Sequence, residues 1–386
     1  MRYRTMRRTL ALLAAILLLT AIFAGCSKKE EAAVQTATGS AANNRASVSE
    51  RFTERDLQQT ADLASATTLT LTSGCDVSVT EAGVYVLSGT AENCTVHVNC
   101  ADENAKVQLV LDDAHITNTD SPCILVTAAD KVFVTTTAHE NSLSVTGSFG
   151  ESGDAVIDSK DDLTLNGVGT LTIESTANGV SSNDEIRITG GSYTIASTKD
   201  AIEAHDAISI ADGVISINAG KDGLHAEDND DDTVGAIYLA GGTLTITAAA
   251  DAIQATTLAQ FDGGTVAVNA REGIEATHIL INNGTFTFHA RDDGLNSSKK
   301  SSAYSVPVIE INGGSLTIAM AAGDTDAVDV NGNLIITGGT INITAQSAFD
   351  FDGTVTFTGG TVTVNGQQIT RITASMPGGG MHGHRR

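Results

Sequence analysis

The stretch GGTLTITAAADAIQA, residues 241–255, carries the reading on which the fold turns. Leu244 and Ile246 alternate with Thr243, Thr245 and Thr247, and Ile253 and Ala255 flank Gln254. Alternation with period two over such short runs describes half-buried strands. Gly241, Gly242 and Asp251 mark the corners between them. Related units surround this one: GGSYTIASTKDAIEA (190–204), DGVISINAGKDGLHA (212–226), GGTVAVNAREGIEA (263–276), NGTFTFHARDDGLNS (283–297), GGSLTIAMAAGDTDAVDV (313–330), GGTINITAQSAFDF (338–351) and GGTVTVNG (359–366). Short units repeat every 20 to 22 residues, and two spacings of 29 and 30 carry insertions. A third apolar run, such as Ile237 and Leu239 or Ile279 and Ile281, completes each unit.

Internal repetition at this period means that neighbouring units bury one another. No segment holds helical periodicity over a useful length. The expected fold is therefore all-β: a right-handed, single-stranded parallel β-helix with three strands per coil, its hand following from the preference of parallel crossovers. One inward column is expected to stack Ile195, Ile217, Ile246, Val268, Phe288, Ile318, Ile343 and Val364, with Ser197, Ala219, Ala248, Ala270, Ala290 and Ala345 as a small-residue column beside it. Residues 151–370 form the regular helix in this reading. Residues 51–150, with runs such as KVQLVLDD and DKVFVTTT, supply irregular, capping coils. Abundant glycine (38) and scarce proline (3) agree with many tight corners and uninterrupted strands.

Both ends read differently. Arg2, Arg4, Arg7 and Arg8 precede the apolar run LALLAAILLLTAIFA, so residues 1–25 are expected to be a secretory signal peptide. Its end, FAGC, resembles a lipoprotein lipobox, which makes Cys26 the expected lipidation site and the protein extracytoplasmic, anchored to the bacterial cell membrane by lipid alone. Residues 26–50 read as a flexible tether and 371–386 as a Gly-rich tail. The formal charge of −24 becomes −28 once the four leader arginines are gone. That field repels nucleic acid and attracts divalent cations. A monomer is expected. Four further cysteines (Cys75, Cys94, Cys100 and Cys123) allow three disulfide pairings in an exported protein, and the sequence does not choose among them.

The chemistry concentrates on a position repeated once per coil: Asp154, Asn178, Asp200, Asp222, Asp251, Glu272, Asp293, Asp326 and Ser347. Stacked strands lie about 4.8 Å apart. Carboxylates at that spacing repel by about 1 kcal/mol in water and by more where water is scarce. Calcium bridging acids of adjacent coils relieves this. So do neighbouring cations, Lys199, Lys221, Arg271 and Arg291, and so does each Asp capping its own corner. An insertion, EDNDDD, adds Glu227, Asp228, Asp230 and Asp232. Its D-x-D-x-D spacing suits a hard cation, but Thr233 and Leu239 stand where an EF-hand needs Gly and Glu. Three residues after the acidic column runs a polar one: Ser181, Glu203, His225, Gln254, Glu275, Asn296, Asp329 and Asp350. Facing solvent on a flat sheet, these side chains suit an extended hydroxyl-rich polymer.

The sequences DGLHAEDNDDD (222–232), IYLAGGTLTITAAADAIQA (237–255) and SAFDFDGTVTFTGGTVTVNG (347–366), with the Gly/Met tail, resemble a bacterial family of carbohydrate-binding lipoproteins. Its type member is cellulosome-associated and binds cellulose and polygalacturonate. The resemblance covers residues 51–386 and implies a pectate-lyase-like β-helix that holds calcium, carried here by Asp222, Asp228, Asp230, Asp232, Asp251 and their neighbours in the column. Asn178 and Ser347 depart from the acidic pattern.

The leading expectation is a cell-surface protein that binds plant-type or acidic polysaccharide with the help of Ca2+. Its metal ligands come from Asp200, Asp222, Glu227, Asp228, Asp230, Asp232, Asp251, Glu272, Asp293 and Asp326. Its glycan contacts come from Lys199, Lys221, Glu203, His225, Gln254, Arg271, Glu275 and Asn296. A calcium-dependent polysaccharide lyase, with a Lys or Arg as base, and a purely structural adhesin are the alternatives.

Overall fold

The structure is a computed structural model that describes residues 47–374 apart from Ser152 and Asp324. The expected signal peptide, Cys26, residues 26–46 of the tether and residues 375–386 of the tail lie outside the described residues. Among the described residues the chain is β-structure throughout, with one short helix, Val48–Arg51.

The repeat at 241–276 shows how the strands are laid down. Thr243–Ala248, Asp251–Ala255 and Leu258–Phe261 follow one another and pair in parallel with Thr265–Ala270, Glu272–Ala276 and His278–Ile281. Each strand thus meets the strand three further along the chain. The pattern continues into a 24-stranded sheet and a 12-stranded sheet. The second of these contains Asp251–Ala255 and its equivalents, and it carries the acidic residues. Among the named strands of the described residues one pairing is antiparallel, Thr361–Val364 with Gln367–Ile369.

The apolar column forms in the register that the repeats require. Ile195 faces Ile217, then Ile246, Val268, Phe288, Ile318, Ile343 and Val364. All but Val364 are buried. At each corner the second glycine of the unit takes the left-handed backbone, for example φ 86° at Gly242 and 87° at Gly264. A side chain there is strained, which explains why the glycine recurs.

A second corner sets the direction of the acids. A Cβ placed on Gly223 falls 2.5 Å from Ile246 Cγ2, and one on Gly273 falls 2.9 Å from the Phe288 ring. The residue after each acid therefore faces the core, where Ala201, Ala252 and Ala327 are buried at the equivalent positions. The next residue, Leu224 or Ile253, is also in the core. Two successive inward residues interrupt the alternation, so the acid before them is turned away from the apolar interior.

The N-terminal residues lie over the outer side of several strands. Asp56 is fully buried; it pairs with Lys131 Nζ at 2.6 Å and accepts a hydrogen bond from Thr164 Oγ1 at 3.0 Å. Gln59 donates to the Thr189 carbonyl at 2.9 Å, and Arg187 Nε donates to the Arg51 carbonyl at 2.9 Å. The Lys131 ammonium and the hydrogen bonds from Thr53 hold the Asp56 carboxyl below its usual range despite its burial.

Truncating the stacked column tests this packing. Ile246→Ala removes buried methyl groups from the column and is expected to cost about 2–5 kcal/mol. Thr245→Ala, on the exposed side of the same strand, is expected to stay within about 0.5 kcal/mol. Thermal unfolding of the two variants beside the parent measures the contrast.

Candidate functional site

Asp200, Asp222 and Asp293 each accept a backbone hydrogen bond from the repeat that follows. The Asp222 N–H donates to Asp200 Oδ1 at 2.9 Å, and the Asp251 N–H donates to Asp222 Oδ1 at 2.9 Å. The Asp200 N–H donates to Asn178 Oδ1 at 3.1 Å, and the Asp326 N–H to Asp293 Oδ1 at 3.4 Å. The carboxylates therefore cap the neighbouring repeat, not their own corners. Asp251 faces Glu272 and Asp293 faces Asp326 in register. At the start of the column the register sets Ala155, not Asp154, opposite Asn178. Asp154 still receives the Asn178 amide at 3.3 Å and Lys199 Nζ at 3.2 Å.

Asp200, Asp222, Asp251 and Glu272 are buried, and Asp293 and Asp326 are half-buried. Where one oxygen is held by a backbone N–H, as in Asp200, Asp222 and Asp293, the second oxygen needs a cation or a proton. The column meets this need in two ways. In the first, Lys221 Nζ lies 3.0 Å from Asp200 Oδ2 and 3.4 Å from Asp222 Oδ2, and His225 Nδ1 lies 3.3 Å from Asp200 Oδ2. Burial acts to raise Asp200, but His225, the Asp222 N–H and Lys221 outweigh it, and the carboxyl falls to about 2. Asp222 remains less well served. Its Oδ2 has only the longer contacts to Lys221 Nζ at 3.4 Å and His225 Nδ1 at 3.9 Å, and burial raises the carboxyl.

In the second, acids outnumber cations. Arg271 reaches Asp251 Oδ1 at 2.9 Å and Asp292 Oδ2 at 2.8 Å, and it also contacts Glu272. This one guanidinium serves three carboxylates. Burial and the neighbouring Glu272 and Asp222 push Asp251 up to about 7. Burial with Asp329, Glu272 and Asp292 pushes Asp293 up to about 8, and burial with Asp326, Asp350 and Asp352 pushes Asp329 up to about 7.

Among the described residues three groups bring ligand atoms within 4.8 Å of one another: Asp200, Glu203 and His225; Asp251, Glu272 and Glu275; and Glu272, Asp292 and Asp293. The last two share Glu272 and offer only oxygen. The polar column runs in register beside them, Ser181 to Glu203, His225, Gln254, Glu275, Asn296, Asp329 and Asp350, but it does not face solvent freely as expected: His225 is buried and all the others except Asp350 are half-buried. Asn296 Nδ2 donates to Glu272 at 2.9 Å, and Lys300 Nζ pairs with Glu275 at 2.9 Å.

Among the described residues the insertion acids form no close-set trio of ligand atoms, and each has partners of its own. Asp228 Oδ1 accepts the Asp230 N–H at 2.8 Å, closing its own turn. Asp232 accepts the Ser302 N–H at 3.1 Å and hydroxyl at 2.6 Å. Glu227 leaves the loop for the polar column, taking His225 Nε2 at 3.1 Å and Gln254 Nε2 at 3.0 Å. Glu227, Asp228, Asn229, Asp232, Thr256 and Lys300 line a cleft of about 280 Å³. Sequence reasoning placed Glu203 and Glu275 among glycan contacts only and passed over Asp292. The doubled acid in RDDGLNS was the available signal for Asp292.

The profile of a family described as carbohydrate-binding domain-containing protein matches residues 73–326 and 272–375. A carbohydrate-binding domain-containing protein of Acetivibrio thermocellus is 34% identical over 125 residues, 30% of this chain. The match spans 43% of that relative's length. Among solved structures, the polysaccharide lyase-like protein from C. thermocellum, in a gadolinium derivative, superposes with a TM-score of 0.51 at 28% identity, covering 53% of this chain and 87% of that one.

The uncompensated acids predict how stability depends on pH. Asp251 and Asp293 titrate at about 7 and about 8 in the folded chain, above the ordinary 3.8. The folded state then holds protons that the unfolded state releases. The stabilisation is complete below about pH 4 and is lost as pH rises through 7 to 8. With divalent ions chelated, the Tm contribution of these groups is expected to fall between pH 5 and pH 8.5, and Asp293→Asn is expected to flatten that fall in a differential scanning series.

Proposed function

The chain belongs to the carbohydrate-binding domain-containing protein family, and from that premise we propose a polysaccharide-binding protein that uses calcium to reach acidic glycans. The arrangement that carries this reading is the pair of all-oxygen clusters sharing Glu272, in which one arginine faces three carboxylates. Calcium takes six to eight oxygen ligands, so a carboxylate-only group fits it. Asp251, Glu272, Glu275, Asp292 and Asp293 would hold the ion, leaving coordination positions for a uronate carboxylate. The group of Asp200, Glu203 and His225 fits less well, because it includes a nitrogen and its own Lys221 and His225 already draw Asp200 down, whereas Asp251 and Asp293 stay raised despite Arg271.

The glycan would lie along the 12-stranded sheet over the polar column, where Glu203, His225, Gln254, Glu275 and Asn296 recur at the strand spacing. We read the three-strand repeat as a right-handed, single-stranded parallel β-helix, which keeps this surface straight enough for an extended chain. Plant-type acidic polysaccharide of the polygalacturonate kind fits the calcium bridge; a cellulose-like chain would rely on the polar side chains alone. Export as a monomer anchored through a lipid on Cys26 completes the proposal.

Binding is favoured over lyase action by the state of the cations. Lys199 pairs with Asp154, Lys221 with Asp200 and Asp222, and Arg271 with Asp251 and Asp292. A base engaged in ion pairs with carboxylates is poorly placed to take a proton from a sugar ring.

Affinity electrophoresis through polygalacturonate measures the reading. Retardation is expected with calcium, with loss on chelation and at least a tenfold weakening in Glu272→Gln. Retardation unchanged by chelation would exclude the calcium bridge. An ultraviolet-absorbing unsaturated product would replace binding by lyase action.

A further inference from the structure

The acidic column continues beyond its acids. Val77 faces Val96 in the first strands of the 12-stranded sheet, and Val96 then faces Ile124. Counting two residues back from these core positions places Cys75, Cys94 and Pro122 where later repeats have Asp200, Asp222 and Asp251. Backbone hydrogen bonds hold this register through the cysteines: the Gly74 N–H donates to the Glu92 carbonyl at 2.9 Å, and the Val77 N–H donates to the Thr95 carbonyl at 2.9 Å. Cys75 and Cys94 are therefore opposite one another in adjacent repeats. Neighbouring parallel strands are about 4.8 Å apart, within the Cα separation of about 4.4–6.8 Å that a disulfide spans. The Cys94 thiol points to its partner's backbone, donating to the Cys75 carbonyl at 3.0 Å.

We propose that Cys75 and Cys94 form a disulfide that ties the first repeat to the second. Both are thiols in this structure, Cys75 exposed and Cys94 buried. Cys123 shares the core with Cys94, but its thiol is directed elsewhere. Cys123 belongs to the inward column one residue away and turns toward the Ser144 carbonyl at 3.4 Å. Cys100 stands past the opposite end of the strand Val96–Asn99.

Exposure orders the chemistry. The Cys75 thiolate attacks an external disulfide, such as oxidised glutathione, forming a mixed disulfide and releasing one glutathione thiolate. The Cys94 thiolate then attacks the Cys75 sulfur, forming the protein S–S bond and expelling the second glutathione thiolate. The two protein thiols give up their protons, which the released thiolates take up, and the two electrons lost by the protein reduce the oxidant. The bond would replace, at the edge of the stack, the hydrogen-bonded acid that joins repeats further along.

Oxidised glutathione added to the folded protein, followed by cleavage at glutamate, tests the assignment, because Glu81 and Glu92 separate the two cysteines. The expected result is a loss of two thiols without a retained glutathione, and a cross-link between the peptide ending at Glu81 and the peptide beginning at Asn93. The cross-link persists in Cys100→Ser and disappears in Cys75→Ser, an exposed change that leaves the fold intact. Reduction is expected to lower the Tm by several degrees. A stable glutathione adduct on Cys75 in place of closure, or a cross-link lost in Cys100→Ser, would overturn the proposal.

Discussion

The structure depends on a hydrogen bond from the backbone of one repeat to the carboxylate of the repeat before it. Asp222 N–H to Asp200 and Asp251 N–H to Asp222, both at 2.9 Å, are its best-formed examples. The bond satisfies a backbone donor at a corner where the strand ladder is interrupted. It also fixes the carboxylate in a stack whose spacing is that of the strands. Like charges about 4.8 Å apart repel by about 1 kcal/mol even in water, and more strongly when buried. A chain that caps its corners with acids therefore creates a demand for positive charge along one line.

Different repeats meet that demand differently. Lys221 and His225 neutralise Asp200 well enough to draw its carboxyl down to about 2. Near Glu272 the chain supplies Arg271 and adds acids, and Asp293 rises to about 8. The backbone position is the same in both, so the difference lies in the residues beside it: a Lys before Asp222, against Asp292 before Asp293 and Glu275 three residues after Glu272. The first arrangement closes an ion-pair network. The second leaves oxygen ligands in excess, which is the composition a hard cation requires.

The repeat, the stacked columns and the all-β character were legible in the sequence because period-two alternation and recurring glycines encode them locally. The register of Ile195 through Val364 and of Ser181 through Asp350 follows from aligning the units. The direction of the acids was harder to read. Alternation alone turns Asp251 inward with Ile253, and only the close approach of the following small residue to Ile246 or Phe288 shows that the corner breaks the alternation. Spacing does not say what the insertion acids touch: here Asp228 accepts the Asp230 N–H, Asp232 holds Ser302, 70 residues on, and both line one cleft with Glu227. The burial of Asp56 against Lys131 had no sequence signal, because it joins residues that share no repeat position.

The central claim is that the acids around Glu272 hold calcium, and calorimetric titration of calcium into metal-stripped protein tests it most directly. Saturable binding is expected, with an enthalpy at neutral pH that changes with the ionisation heat of the buffer, because Asp251 and Asp293 release protons as the ion enters. Glu272→Gln is expected to remove both the heat and the proton release. Absence of saturable binding in the parent, or binding of equal strength in Glu272→Gln, would contradict the account.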